Sequence, residues 1–187
     1  MAQRSPHHVG QAARPAGRPA CCRRRGQQDV TMRTITHGSF TLERRWKTTP
    51  ARLFKALSDE ATKQKWFNPP EAWGKDEHHM DFRVGGIETS VGGPPGGAVH
   101  KFRAIYQDIV PNERIIYSYD MHLDDVRISV SLTSFEIRHD GDHTTLVMTE
   151  HGAFLDGFAG DGNDIRRQGT SQLLDQLGAF LAREGAN

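Results

Sequence analysis

Two charged residues interrupt apolar strand patterns and are the first places to look for chemistry. Arg44 lies between Leu42 and Trp46, and Glu150 follows Leu146 and Met148. An inward-facing charge is costly unless it is paired or hydrogen-bonded. Three readings stay open for this couple: an ion pair with each other, an anchor for the polar end of a ligand, or a solvated position at a sheet rim. A carboxyl among apolar neighbours also suits acid–base work, which would make Glu150 the working group of a cyclase- or hydrolase-type enzyme.

Other chemistries find little support. His78 and His79 are neighbours on an expected strand, so they point to opposite faces and cannot hold one metal together; no HExxH or CxxC accompanies them. His100, His122, His139 and His143 fall in or beside turns, and His151 has no nucleophile nearby in sequence. The run Gly169-Thr170-Ser171-Gln172-Leu173 lacks the second glycine of a hydrolase elbow and lies inside a helical pattern. Cysteine catalysis is excluded beyond residue 31, because Cys21 and Cys22 are the only cysteines. The VGGPPGG segment joins strands without a following Lys-Ser/Thr, so it reads as a hairpin loop and not as a phosphate cradle. The Asp/Gly-rich loop 156–164 does not have the spacing of a calcium loop; Asn163 or Asp164 as a helix cap accounts for it. No catalytic residue, metal or cofactor is assigned.

The elements that must position these residues follow from hydrophobic period. Phe40, Leu42 and Trp46 alternate with polar residues, which predicts a half-buried strand. Thr49-Pro50 is a cap and first turn, and Leu53, Phe54 and Leu57 recur at helical spacing. Ser58, Asp59 and Glu60 start a second short helix, stopped by Pro69 and Pro70. Strands then follow in antiparallel order. Met80, Phe82 and Val84 precede a Gly85-Gly86 turn, and Ile87, Thr89 and Val91 follow it. Phe102, Ala104 and Tyr106 lead to a Pro111-Asn112 turn and then to Ile115, Tyr117, Tyr119 and Met121. Val126, Ile128, Val130 and Leu132 share one parity while Phe135 and Ile137 take the other, which predicts a bulge near Ser134. Asp140-Gly141 turns into a last strand carrying Leu146 and Met148. Leu173, Leu174, Leu177, Phe180 and Leu181 then define one face of a long helix from about Asn163 to Arg183.

About seven strands at ~4.8 Å spacing make a sheet roughly 30 Å wide, whereas a helix with side chains is only ~10–12 Å across. One helix cannot cover such a sheet flat, so the expected fold is α+β: a curved antiparallel sheet of six to seven strands gripping a C-terminal helix, with two short helices after the first strand. One turn before Leu173 the helix presents Gly169 and Thr170 where a core-filling helix would carry large side chains. A hollow is expected there, walled by Met80, Phe82, Tyr106, Tyr117, Tyr119 and Met148, an aromatic and methionine lining suited to a small apolar molecule.

Composition agrees with one folded domain and a tail. Residues 1–31 hold six arginines, one acid and three prolines without apolar period, so this stretch reads as disordered, and translation starting at Met32 is the expectation. The remainder, 32–187, has 18 basic and 22 acidic side chains, a formal charge of −4, which disfavours a nucleic-acid partner. No run is long and apolar enough for a membrane helix, and a domain without cysteines suits the reducing cytoplasm. Composition leaves a homodimer through the outer sheet face open.

Four segments in this order resemble a known family: TPARLFKALSDEATKQKWF, DFRVGG, FRAIYQDIVPNERIIYSY and TTLVMTEHGAF. The stretch from about 39 to 184 is similar to the START-like, helix-grip proteins related to the activator of the ninety-kilodalton heat-shock-protein ATPase, a superfamily that also holds polyketide cyclases. The resemblance implies a helix-grip domain over 32–187. It places Trp66 where similar proteins have a tryptophan after the second short helix, and it departs from them at Thr170, where a tryptophan is usual. The expected ligand-contacting set thus adds Trp66, Glu150, Thr170 and Leu173 to the six wall residues. Ligand binding is the leading expectation, the enzyme is the alternative, and a co-chaperone that activates the heat-shock ATPase is the third.

Overall fold

The structure is a computed structural model, and it describes residues 33–67 and 77–184. The expectations for the 1–31 tail, the Met32 start and the Pro69-Pro70 stop lie outside the described residues. Seven strands, β1 (Ile35–Trp46), β2 (Glu77–Met80), β3 (Ile87–Gly92), β4 (His100–Val110), β5 (Arg114–Leu123), β6 (Val126–Asp140) and β7 (His143–Leu155), form one antiparallel sheet in the order β1-β7-β6-β5-β4-β3-β2. β2 to β7 are a meander, and β1 pairs on the far side of β7, for example Leu42 opposite Met148. The helices are α1 (Pro50–Ser58), α2 (Glu60–Lys63) and the long α3 (Gly162–Glu184). No helix among the described residues is long and apolar enough to cross a membrane.

Local chemistry sets the element ends. Thr49 Oγ1 accepts the Arg52 amide at 3.3 Å with Pro50 opening α1. Ser58 closes that helix, and the cap of α2 is Asp59, whose Oδ1 accepts the Thr62 amide at 2.9 Å. Asn163 and Asp164 lie within the first turn of α3, which begins one residue before them. β2 stops at Met80, short of Phe82, because Gly85 has φ 79° and a side chain on Gly86 would meet the Asp81 carbonyl.

The bulge of β6 is not near Ser134. It falls at Ile128, between the pairs Met121–Ser129 and His122–Arg127, and a second one sits at Gln107 in β4. The position changes which side chains face the helix. Ile128 and Ser129 are both buried, Ser131, Thr133 and Ile137 follow on the inner face, and Val130 and Leu132 are 44% and 46% exposed on the outer one. The two bulges flank β5, and bulged strands bend and twist more strongly, which curls the sheet about its centre.

The core joins Phe40, Leu42, Leu146 and Met148 of the sheet to Leu174, Leu177, Phe180 and Leu181 of α3, with Leu53, Ala56 and Leu57 of α1 closing one end. The second half of α3 is pressed close: a Cβ on Gly178 would lie 2.5 Å from Trp46 Nε1. Arg44 faces this helix too, bonding Ser171 Oγ at 2.7 Å and Asp175 Oδ1 at 3.1 Å.

Candidate functional site: a cavity under the first half of the terminal helix

The start of α3 also touches the sheet, since a Cβ on Gly162 would lie 2.7 Å from Phe154, but the stretch around Gly169 is not pressed down. A Cβ on Gly169 would touch nothing within 4 Å, and Ile165 is 58% exposed. Below this stretch lies a cavity of about 540 Å³, within the range of small-molecule sites. Its floor is aromatic and comes from the middle strands: Phe102, Tyr106, Tyr117, Tyr119 and Phe135. Met148 and Phe154 of β7 and Trp66 and Phe67 after α2 close the sides, and Arg166, Gly169, Thr170 and Leu173 form the roof. Small residues border it as well, Ser90 and Gly92 of β3.

Eight of the ten residues expected to contact a ligand border this space: Trp66, Tyr106, Tyr117, Tyr119, Met148, Glu150, Thr170 and Leu173. Met80 and Phe82 do not. Met80 is 7% exposed in the core, and Phe82, in the turn after β2, stacks edge-on against Tyr106 with centroids 4.9 Å apart and against Phe54 at 5.8 Å. Trp66 also holds its own helix pair in place, its Nε1 donating to the Ala56 carbonyl at 2.8 Å.

Two polar clusters interrupt the apolar wall. At one end Glu150, 2% exposed, accepts the Tyr119 hydroxyl at 2.6 Å and Arg166 Nη1 at 3.4 Å. Arg166 Nη1 also donates to the Tyr119 oxygen, and Nη2 donates to Ser129 Oγ at 2.9 Å. The guanidinium lies 5.2 Å from the Tyr119 ring centroid and 6.0 Å from that of Phe154, a geometry in which ring faces attract cations. Arg44 and Glu150 therefore do not pair with each other, and Glu150 is no solvated rim group: each charge finds its partner on α3. Arg166 escaped the sequence reading, although it sits three and four residues before Gly169 and Thr170 and so shares their face.

The second cluster was also missed. Glu88 of β3, 1% exposed, accepts Lys63 Nζ at 2.5 Å, His78 Nε2 lies 2.9 Å from the same oxygen, and the Tyr106 hydroxyl donates to its other oxygen. Burial opposes the charge of Glu88, but Lys63, His78 and Tyr106 outweigh it and hold the carboxyl down at about 2. The alternation of β3 holds the only available signal, since placing Ile87, Thr89 and Val91 outside puts Glu88 and Ser90 inside. His78 and His79 do lie on opposite faces, the first buried and the second exposed.

Between the clusters the three tyrosines form a continuous strip, with centroids 6.1 Å apart for Tyr106–Tyr117 and 5.8 Å for Tyr117–Tyr119. Burial, and then the neighbouring carboxylates and phenols, push the hydroxyls of Tyr106 and Tyr117 far up; burial does the same to Tyr119 against the opposing pull of Arg166. All three stay protonated and neutral at ordinary pH.

The chain matches the family described as Activator of Hsp90 ATPase homolog 1-like protein over residues 47–182. A protein of solved structure from Rhizobium leguminosarum is 41% identical, with 82% of this chain and 99% of that chain covered at a TM-score of 0.77. The Mll3558 protein from Rhizobium loti is likewise 41% identical, covering 79% and 99% at a TM-score of 0.73. CalU16 from Micromonospora echinospora, 18% identical over 83% and 88% with a TM-score of 0.55, shares the fold. No curated protein matches the chain. With its seven-stranded antiparallel sheet gripping the C-terminal helix, the chain belongs to the Activator of Hsp90 ATPase homolog 1-like family.

Proposed function

We propose that this protein binds a small molecule with a mainly apolar, aromatic-sized body in the cavity between the sheet and the first half of α3. The observation that carries this reading is the cavity of about 540 Å³ lined by aromatic and methionine side chains and roofed by Gly169 and Thr170. A fold selected only for stability would fill that volume, because interiors pack to the density of organic crystals and each void costs stability. The described walls come mainly from strands and the long helix, with Trp66, Phe67 and Phe158 added from the segments between them.

The uncharged dye N-phenyl-1-naphthylamine, whose emission rises in apolar sites, is the probe for the test. Saturable enhancement with wild-type protein is expected, and Thr170→Trp, which places an indole in the roof, should abolish it while thermal stability is kept. Equal titrations of the two proteins would overturn the reading.

A further inference from the structure

We infer that the ligand of this cavity is uncharged and meets the Arg166–Glu150 end through a hydroxyl group. The inference rests on the binding function proposed above and adds the chemical class.

Charge balance comes first. Among the described residues the charged side chains that border the cavity are Lys63, Glu150 and Arg166, and Glu88 is bonded to Lys63. These are two cations and two anions, each already within a salt bridge. His100 also borders the space, and burial, together with Arg166, pushes its titration down against the opposing effect of Asp124, so it is neutral near pH 7. The tyrosines are neutral as well. A charged ligand entering this space would lose its hydration and find no uncompensated opposite charge among the described residues to replace it.

The hydrogen-bond inventory then selects the polar group. A guanidinium has five N–H donors, and Arg166 places three bonds: two from Nη1, to Tyr119 and Glu150, and one from Nη2, to Ser129. Its Nε–H and one Nη2–H have no partner among the described residues. Glu150 accepts both of its bonds on Oε1, and Oε2 has no hydrogen-bond partner among the described residues. One end of the cavity therefore combines an available donor with an available acceptor. A hydroxyl satisfies both, donating to the carboxylate and accepting from the guanidinium. A ketone or ether leaves the carboxylate oxygen unmet, and a carboxylate group repels it.

Four probes of one shape test this on the full chain at about pH 7: naphthalene, 2-naphthol, 2-naphthoate and 2-naphthylmethylammonium, read by displacement of N-phenyl-1-naphthylamine. 2-Naphthol should bind at least about tenfold more tightly than either charged probe and more tightly than naphthalene, the scale set by an unmatched buried charge or polar group. Naphthoate or the ammonium binding as tightly as naphthol would overturn this inference and leave the cavity reading standing. Binding of none of the four, naphthalene included, would overturn both. Glu150→Gln removes the countercharge of Arg166 and should raise naphthoate affinity about tenfold while weakening naphthol. A folded Glu150→Gln protein with unchanged preference would refute the charge argument, and if that variant does not fold, the wild-type ranking decides alone.

Discussion

Two glycines in one helix should respond oppositely to the same mutation. In a helix interior alanine is favoured over glycine by about 1 kcal/mol, because the unfolded glycine has more freedom to lose. At Gly169 nothing lies within 4 Å of a new Cβ, so Gly169→Ala should collect this gain in full. For a domain of this size that is a rise of roughly 2–4 °C in Tm. At Gly178 the same methyl would fall 2.5 Å from Trp46 Nε1 and 3.2 Å from its Cε2, inside any real contact distance. The indole is rigid and wedged between strand and helix, so relief requires the helix to move, and overpacking of that kind costs about 1–3 kcal/mol. Set against the propensity gain, Gly178→Ala should be neutral to destabilising by about 2 kcal/mol. The two variants should therefore differ by about 1–3 kcal/mol in urea unfolding followed by circular dichroism, with unchanged m-values. Equal stabilisation by both would mean that α3 does not press on Trp46, and destabilisation by Gly169→Ala would mean that the first half of the helix has no space beneath it.

Two further outcomes follow from buried groups. Glu88 is held at about 2 against an ordinary 4.5, so its charge stabilises the fold above pH 4.5 and that contribution, a few kcal/mol, is lost as pH falls towards 2; Glu88→Gln should flatten the acid limb of a stability–pH curve in that window, and an unchanged limb would remove Glu88 as its cause. On β6, Leu132→Ser should change stability by less than about 0.5 kcal/mol, whereas Ser131→Leu should cost about 1–3 kcal/mol by overpacking the inner face; urea denaturation giving the reverse order would contradict the register of that strand.

Most of the architecture was legible because it is written in period and punctuation. Thr49-Pro50, Asp140-Gly141 and the Leu173–Leu181 face each follow from local rules that tertiary contacts do not override. The misplaced bulge shows where such rules fail. Val126 to Leu132 alternate as an inward apolar strand should, and β propensity cannot tell that the inner positions are taken by Ser129, Ser131 and Thr133. Those hydroxyls stand inside because the facing strand carries Tyr117 and Tyr119 in register with Thr133 and Ser131, and because Arg166 enters from the helix to bond Ser129. The three tyrosines of the floor and Gly169 and Thr170 of the roof were readable, whereas Phe102, Phe135 and Arg166 were not. The two salt-bridged clusters were not, since each assembles groups from separate elements: Lys63 and Glu88 are 25 residues apart, and Arg166 and Glu150 are 16. Sequence distance gives no weight to one pairing over another, which is why Arg44 and Glu150 could look like partners.

The cavity persists because stability and vacancy are divided along the same helix. Leu174, Leu177, Phe180 and Leu181 in the second half are each 4% exposed or less, and Arg52 Nη2 ties the Leu181 carbonyl to α1 at 2.7 Å. That half fastens the helix against the sheet and lets the stretch around Gly169 stand off without peeling away. Gly162 packs against the Phe154 ring at the start of the helix, and between these two apolar anchors the contacts are polar: Arg44 on Ser171 and Asp175 on one side, Arg166 on Tyr119, Ser129 and Glu150 on the other. Hydrogen bonds have preferred lengths, whereas apolar contacts simply close whatever gap they can. Had Ser129 and Glu150 been leucines, the helix could settle onto the sheet and the hollow would fill with side chains. Charged groups that add little net stability when buried thus act here as spacers, and they leave the space between them in a defined shape.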